Sequence, residues 1–131
     1  QHGIPLREGL IAQGKWNPAS GAAAVAELLA RGERFTALVA SNDDMAIGAM
    51  KQLHDSGVAA PDAVSVIGFD DVAIAPYIVP SLSSVRIPVT EMIKETISRL
   101  IFMLDGGEFK YQQTFSGELV LRDSVIDGPH R

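Results

Sequence analysis

Two polar side chains each follow a short apolar run that is typical of a buried strand. Asn42 comes soon after residues 36–40, and Asp70 comes directly after residues 64–69. The carboxyl ends of parallel strands meet at one edge of a sheet, where open α/β sheets bind ligands. An amide and a carboxylate can together donate and accept hydrogen bonds, which suits a neutral polyhydroxylated ligand. The pair therefore predicts a ligand-binding edge.

Trp16, the only tryptophan in the chain, is a third candidate for this edge. It follows residues 9–12, which we predict to form a short strand, and it precedes Asn17 and Pro18, which are typical of a helix start. The face of an indole ring can stack on the apolar C–H face of a sugar ring. Trp16 therefore lies in a strand-to-helix turn, as Asn42 does.

Each candidate also has a purely structural interpretation. Trp16 could be a half-buried core residue, and Asn42 could do no more than cap its helix. Asp70 could be a solvated turn residue. The neighbouring Asp71 is predicted to cap a turn. The residue types alone leave these alternatives open.

The elements that would position these residues alternate between strand and helix. Apolar periodicity and capping residues predict helices over residues 18–31, 44–56 and 88–104. Apolar runs predict strands over residues 9–12, 36–40, 64–69, 83–86 and 115–125. Residues 73–81 lack a helical period and are predicted to form a loop. The predicted fold class is α/β, with a parallel sheet flanked by helices.

Composition narrows the function classes. The 131 residues carry a net charge of −5 with no cluster of Lys and Arg, so this part of the protein has no electrostatic surface for nucleic acid. The absence of cysteine excludes a disulfide framework and is compatible with the cytoplasm and the periplasm alike. No apolar run approaches the length of a membrane span, so no membrane partner is expected.

Enzymatic interpretations have little support in the sequence. Asp70 and Asp71 after a strand would suit a metal or phospho-acceptor site, but such a site needs further acids and a lysine at other strand ends. His2, His54 and His130 are isolated, which disfavours a metal site or a catalytic triad. We expect no enzymatic activity, no cofactor and no metal.

Two stretches carry a family resemblance. ALVASNDDMAIGAM (residues 37–50) and VSVIGFDDVAIAPYIVPSLSSVRIP (residues 64–88) resemble the effector-binding core of the LacI/GalR family of bacterial transcriptional repressors. Within that family the chain is most similar to repressors of β-glucoside (arbutin, salicin, cellobiose) utilisation. The resemblance implies a type I periplasmic-binding-protein fold, in which two α/β subdomains flank a sugar cleft. It places Trp16, Asn42 and Asp70 at ligand-contacting positions.

The same resemblance implies the role of the protein and how this chain divides between subdomains. The protein would be a cytoplasmic, homodimeric and non-enzymatic sensor that binds a sugar or glycoside, and operator DNA would be bound through a helix-turn-helix domain upstream of this chain. Residues 1–86 would form an incomplete C-terminal subdomain. Residues 87–113 would form a crossover helix that packs on an absent N-terminal subdomain, followed by a returning strand at 114–125 and a tail at 126–131.

The resemblance also implies an interface and leaves two questions open. The helix after Asn42 and the loop at residues 73–81 would form the dimer interface, through Met45, Tyr77 and Ile78. Ile87 stands where lactose-repressor-like members carry a glutamine that contacts the ligand, which leaves the identity of the sugar open. A periplasmic sugar-binding protein of a transport system would share the fold and is the alternative.

Overall fold

The computed structural model describes residues 5–108 and 112–128. In chain order the helices and strands are α1 (Pro18–Ala30), β1 (Ala37–Val39), α2 (Asp43–Asp55), β2 (Ser65–Asp70), β3 (Ser83–Arg86), α3 (Val89–Leu104) and β4 (Glu118–Val120). Short 3₁₀ turns lie at Glu8–Leu10 and Ala75–Tyr77. The three predicted helices are confirmed within two residues at each end. Four predicted strands are also present, although β4 is much shorter than predicted.

The strand predicted over residues 9–12 is wrong. This segment overlaps the 3₁₀ turn and joins no sheet in the part of the chain that the structure describes. Leu10, Ile11 and Ala12 instead face β1 and α1 across an apolar groove of about 400 Å³. A strand is stabilised by hydrogen bonds to a neighbouring strand, and this segment has no such neighbour.

The sheet is mixed rather than wholly parallel. Its strand order is β1-β2-β3-β4, with β1, β2 and β3 parallel to one another and β4 antiparallel to β3. The α/β class is confirmed, and the parallel part of the sheet contains the strand ends that the sequence analysis singled out. Asp70 is the last residue of β2 and lies in register with Arg86 at the end of β3.

Helix α2 covers the sheet, and α1 packs on α2. Ala46, Ala49 and Leu53 of α2 are buried in one core with Val66 of β2 and Val25 of α1. This is the amphipathic pattern expected of a helical layer over a sheet.

The two helices approach so closely that glycine is required at their contact. A Cβ atom at Gly48 of α2 would lie 1.8 Å from the backbone oxygen of Pro18, and a Cβ atom at Gly21 of α1 would lie 2.1 Å from the backbone oxygen of Met45. Backbone thus packs directly on backbone at this crossing. The crossing lies next to the Trp16 turn and therefore helps to set where that turn sits.

Helix α3 differs from the other two because none of its residues is buried. Its apolar stripe has five members that are each more than half exposed, namely Ile93, Ile97, Leu100, Ile101 and Leu104. That the stripe packs on an absent subdomain stays a prediction. None of the described helices is long and apolar enough to cross a membrane.

Candidate ligand-binding site at the carboxyl edge of the sheet

Asn42 caps α2 and also contacts the Trp16 turn. Its side-chain oxygen accepts a hydrogen bond of 3.0 Å from the backbone N–H of Met45, which is the N-cap geometry. Its side-chain nitrogen donates to the backbone oxygen of Trp16 over 3.4 Å. The capping role is therefore present, and the other end of the same amide joins the turns that follow β1 and precede α1.

Trp16 is presented to solvent by a turn with unusual backbone geometry. Its φ is +60°, which is uncommon for a bulky residue, and the residue is 68% exposed. The turn is held by a hydrogen bond of 2.8 Å from the Lys15 N–H to the Ser20 hydroxyl and by the capping box between Asn17 and Ser20. An interpretation of Trp16 as a core residue does not fit this exposure. The indole, with Ser41 and other residues, lines a cavity of about 310 Å³.

Asp70 and Asp71 form a second turn of unusual geometry, at the end of β2. Their φ angles are +111° and +55°, so both lie in the left-handed region that non-glycine residues rarely adopt. Together with Trp16 they are the only non-glycine residues with positive φ in the described part of the chain. Such strain persists only where the surrounding structure enforces it, and it is concentrated at functional sites.

The two neighbouring carboxylates of this turn do different things. The side chain of Asp71 is 6% exposed and forms ion pairs with Arg86 at 2.7 Å and Arg122 at 2.6 Å. It therefore ties the turn to β3 and to the segment after β4, which corrects the prediction that it caps a turn. The Asp70 carboxylate makes no hydrogen bond or ion pair with any residue that the structure describes. Asp70 is thus the carboxylate available to a ligand.

The environment shifts the pKa values of these carboxyl groups in opposite directions. Burial, followed by the negative charges of Asp43 and Asp44, raises the pKa of Asp70. Burial also acts to raise the pKa of Asp71, but its interactions with Arg122 and Arg86 outweigh this and lower that pKa. Ionised Asp71 therefore contributes stability that is lost as the pH falls through its lowered pKa. Asp70 behaves in the opposite way. Its contribution to stability is present below the pKa that it has in the unfolded state, and it is lost as the pH rises through the raised pKa of the folded state.

Removing the neighbouring charge of Asp44 is expected to lower the pKa of Asp70, because Asp44 is one of the two carboxylates whose charge raises it. The measurement is an NMR titration of the Asp70 side-chain carbon in the wild type and in Asp44→Asn. Asp62→Asn, an exposed position that does not act on Asp70, is the control. An Asp70 pKa that stays the same or rises in Asp44→Asn would contradict the assignment.

Asp43 is a residue that the sequence analysis missed. Its place in the sequence, directly after Asn42, indicates no more than the start of a helix, but the residue is fully buried. Its carboxylate accepts a hydrogen bond of 2.6 Å from the Ser84 hydroxyl and one of 2.8 Å from the Val72 N–H. Both partners are distant in sequence, so no local pattern pointed to this role. The only early signal was the position of Asp43 beside Asn42.

The remaining predicted site residues are distributed as follows. Met45, predicted at a dimer interface, is 8% exposed and packs inside its own chain near Gly14; its place at an interface stays a prediction. Tyr77 is 79% exposed, and Ile78 is half-buried against the core. His54 is exposed on α2.

Two further site predictions concern metals and terminal residues. His2 and His130 lie outside the described residues. Among residues 5–108 and 112–128, no group of three or more His, Asp or Glu side chains is placed to hold a metal ion.

Comparison with known proteins identifies the fold family. A family model described as a periplasmic binding protein-like domain matches residues 1–125. The chain belongs to this family. The sheet edge that carries Asn42 and Asp70 is therefore part of a periplasmic binding protein-like domain.

The relatives of this domain are transcriptional regulators of the LacI/GalR type rather than enzymes. The chain is 72% identical over 126 residues to the HTH-type transcriptional regulator AscG of Escherichia coli K12, covering 96% of this chain and 38% of that protein. It is 37% identical to the HTH-type transcriptional regulator GalR of the same organism, covering 95% of this chain and 37% of that protein. The chain thus spans about two fifths of the length of these curated relatives.

Solved structures give the same grouping. A sugar-binding transcriptional regulator of the LacI family from Escherichia coli, complexed with phosphate, aligns with a TM-score of 0.87 at 72% identity, over 95% of this chain and 45% of that one. The transcriptional regulator CelR in complex with cellobiose aligns with a TM-score of 0.88 at 31% identity, over 93% and 38%. The Lac repressor dimer bound to operator aligns with a TM-score of 0.82 at 28% identity, over 87% and 40%.

Proposed function

We propose that this chain is the effector-sensing portion of a LacI/GalR-type transcriptional regulator of carbohydrate utilisation. The observation that carries the proposal is an unpaired carboxylate, Asp70, in a strained turn on the sheet edge that also carries Asn42 and the exposed indole of Trp16. An aromatic platform with hydrogen-bond acceptors and donors is the chemistry that a sugar ring requires. The regulators found by comparison share this domain.

The proposed ligand is a sugar or glycoside, free or phosphorylated. The structure of CelR, which aligns over 93% of this chain, is that of its complex with cellobiose. The sequence resemblance to repressors of β-glucoside utilisation points to the same group of compounds. Cellobiose, salicin and arbutin, each with and without a phosphate group, are therefore the first ligands to test.

The proposed mechanism is a shift between two arrangements of two subdomains, one of which this chain provides in part. Ligand can act as a switch only if it binds one arrangement more tightly than the other. Operator DNA would be bound by a domain outside this chain, in a cytoplasmic homodimer. The relatives reported above are transcriptional regulators, which favours a regulator over the periplasmic component of a transport system.

Asp70→Asn is expected to weaken binding of the cognate sugar by about 1–3 kcal/mol, because neutral hydrogen bonds replace charge-assisted ones. Trp16→Ala is expected to weaken it through loss of stacking. The measurement is isothermal titration of the full-length protein with the probes named above, and Asp62→Asn serves as the exposed, matched control. Operator binding without sugar should survive in both variants. Unchanged sugar affinity in both would remove these residues from the site.

The loop that contains Tyr77 is the proposed dimer contact. Tyr77 and Val79 are strongly exposed apolar residues, and Val79 borders a groove of about 400 Å³ lined also by Ile47 and Ile78. Exposed apolar patches of this kind are typical of interfaces. The Lac repressor in the comparison is a dimer.

Tyr77→Asp is expected to weaken dimerisation of the full-length protein by about tenfold or more, because a charge would replace an aromatic side chain that the proposed dimer buries. Sedimentation equilibrium measures the effect, with Ala63→Asp at an exposed position elsewhere as the control. Equal dimer affinity in the two variants would place the interface on another surface.

A further inference from the structure

The Asp70–Asp71 turn holds two successive residues with positive φ, and it needs an external restraint to stay so. The backbone N–H groups that lie inside and just after the turn belong to Asp71 and Val72. The Val72 N–H donates directly to the Asp43 carboxylate over 2.8 Å. The Asp71 N–H donates over 3.0 Å to the Ser84 hydroxyl, which in turn donates to the Asp43 carboxylate over 2.6 Å.

All of these bonds converge on one buried charge. Asp43 and Ser84 are fully buried, so water does not compete for these hydrogen bonds. Asp43 also lies in the first turn of α2, where the helix dipole and free N–H groups favour a negative charge. The Asp43 carboxylate thus satisfies the backbone N–H groups of the turn, and the Asp70 carboxylate takes no part in these hydrogen bonds.

The chain makes room for this arrangement at Gly68. A Cβ atom at Gly68 would lie 2.0 Å from the Asp43 side-chain oxygen, so any larger residue there would push the carboxylate away. Asp44, the next residue on α2, is exposed, and its side chain makes no hydrogen bond in the described part of the chain. Two adjacent aspartates therefore differ in role: one holds the turn and the other faces solvent.

We propose that Asp43 is a positioning residue, whose buried carboxylate acts with the Ser84 hydroxyl to hold the Asp70–Asp71 turn in the conformation that presents Asp70 to the ligand. This role rests on the proposed function of Asp70 as a sugar acceptor. Asp43 itself does not touch the ligand. Its contribution is the fixed location and direction of a group on the neighbouring strand end, which a flexible turn would not provide.

The test compares Asp43→Asn with Asp44→Asn in the full-length protein. Asparagine replaces one of the two acceptor oxygens with an NH2 donor, so one of the two hydrogen bonds that Asp43 accepts, from the Val72 N–H or from the Ser84 hydroxyl, is lost. Asp44→Asn makes the same chemical change one residue away and removes a nearby charge, but it removes no hydrogen bond to the turn. Hydrogen exchange is followed by mass spectrometry on peptides covering residues 69–73, with residues 64–67 as an internal control. Affinity for cellobiose, salicin and arbutin is measured by isothermal titration at pH 7.5.

We expect Asp43→Asn to speed exchange at residues 69–73 and to weaken sugar binding by roughly 10- to 100-fold, with exchange at 64–67 unchanged. Asp44→Asn should change affinity by less than about threefold. If Asp43→Asn does not fold, Ser84→Ala, which removes the hydroxyl that links the Asp71 N–H to the Asp43 carboxylate, is judged by the same two readouts.

Contrary results are distinct from one another. If exchange at residues 69–73 is unchanged in Asp43→Asn, Asp43 does not restrain the turn. If exchange is faster but sugar affinity stays within about threefold of wild type, Asp43 restrains the turn without positioning Asp70 for the ligand. If the wild-type protein binds none of the probes, the proposed function is contradicted instead. Faster exchange at residues 69–73 in Asp43→Asn than in wild type would then still support Asp43 as the restraint on the turn.

Discussion

Alanine at Gly48 is expected to destabilise the fold by about 3 kcal/mol, the upper end of the range for overpacked cores. The added methyl carbon would lie 1.8 Å from the backbone oxygen of Pro18, and backbone cannot move aside as a flexible side chain can. Helix propensity alone would give the opposite sign, because alanine stabilises a helix interior by about 1 kcal/mol relative to glycine. The sign of the measured change therefore decides whether the α1–α2 contact is as close as described.

Urea unfolding of Gly48→Ala and wild type measures this effect, with Gly128→Ala as the matched control because no atom lies within 4 Å of a Cβ there. The same substitution should reach the ligand edge as well. Separation of α1 from α2 moves the Trp16 turn away from Asn42, whose side chain donates to the Trp16 backbone oxygen. A Gly48→Ala protein as stable as wild type would show that the helices pack less tightly.

The isolated chain of 131 residues is expected to self-associate through α3. Five large apolar side chains of that helix are more than half exposed, and complete burial of each is worth roughly 1.5–3 kcal/mol. The free energy available from covering this stripe is comparable with the whole stability of a small domain. Burial against a second copy, or exchange of the segment between copies, would recover much of it.

Analytical ultracentrifugation and binding of a hydrophobic dye measure this association. Ile97→Glu combined with Ile101→Glu should restore a monomer, because two charges would then lie in the contact. Lys94→Glu combined with Ser98→Glu places two glutamates at exposed positions outside the stripe, with a larger change in net charge, and should leave association in place. A wild-type chain that stays monomeric on concentration, unfolds cooperatively and binds no dye would contradict the expectation.

Residue types and spacing pointed to the candidate site residues but not to their geometry. Asn42 and Asp70 were found because each follows an apolar run, and the parallel pairing of β1 and β2 places the two strand ends at one edge. Trp16 was found because a lone tryptophan precedes a helix start. The exposure of its indole and the positive φ values at Trp16, Asp70 and Asp71 emerged only from the fold, because they depend on the turns that neighbouring elements enforce.

Local signals by themselves determined most of the helices and strands of this protein. Asn17 and Asn42 cap α1 and α2, and Gly32 and Gly57, with φ of +71° and +72°, follow their carboxyl ends. Residues 83–86 form β3 as predicted. Each of these signals acts through hydrogen bonds or dihedral preferences within a few residues, so a single sequence contains it.

Only the tertiary structure decided which distant groups meet. The Asp43 carboxylate and the Ser84 hydroxyl are 41 residues apart in the chain, and Asp71 pairs with Arg122 across the sheet. The failure of residues 9–12 to form a strand and the antiparallel direction of β4 likewise depend on which neighbour lies alongside. Burial and partners are properties of packing between elements, whereas periodicity and capping are properties of one element alone.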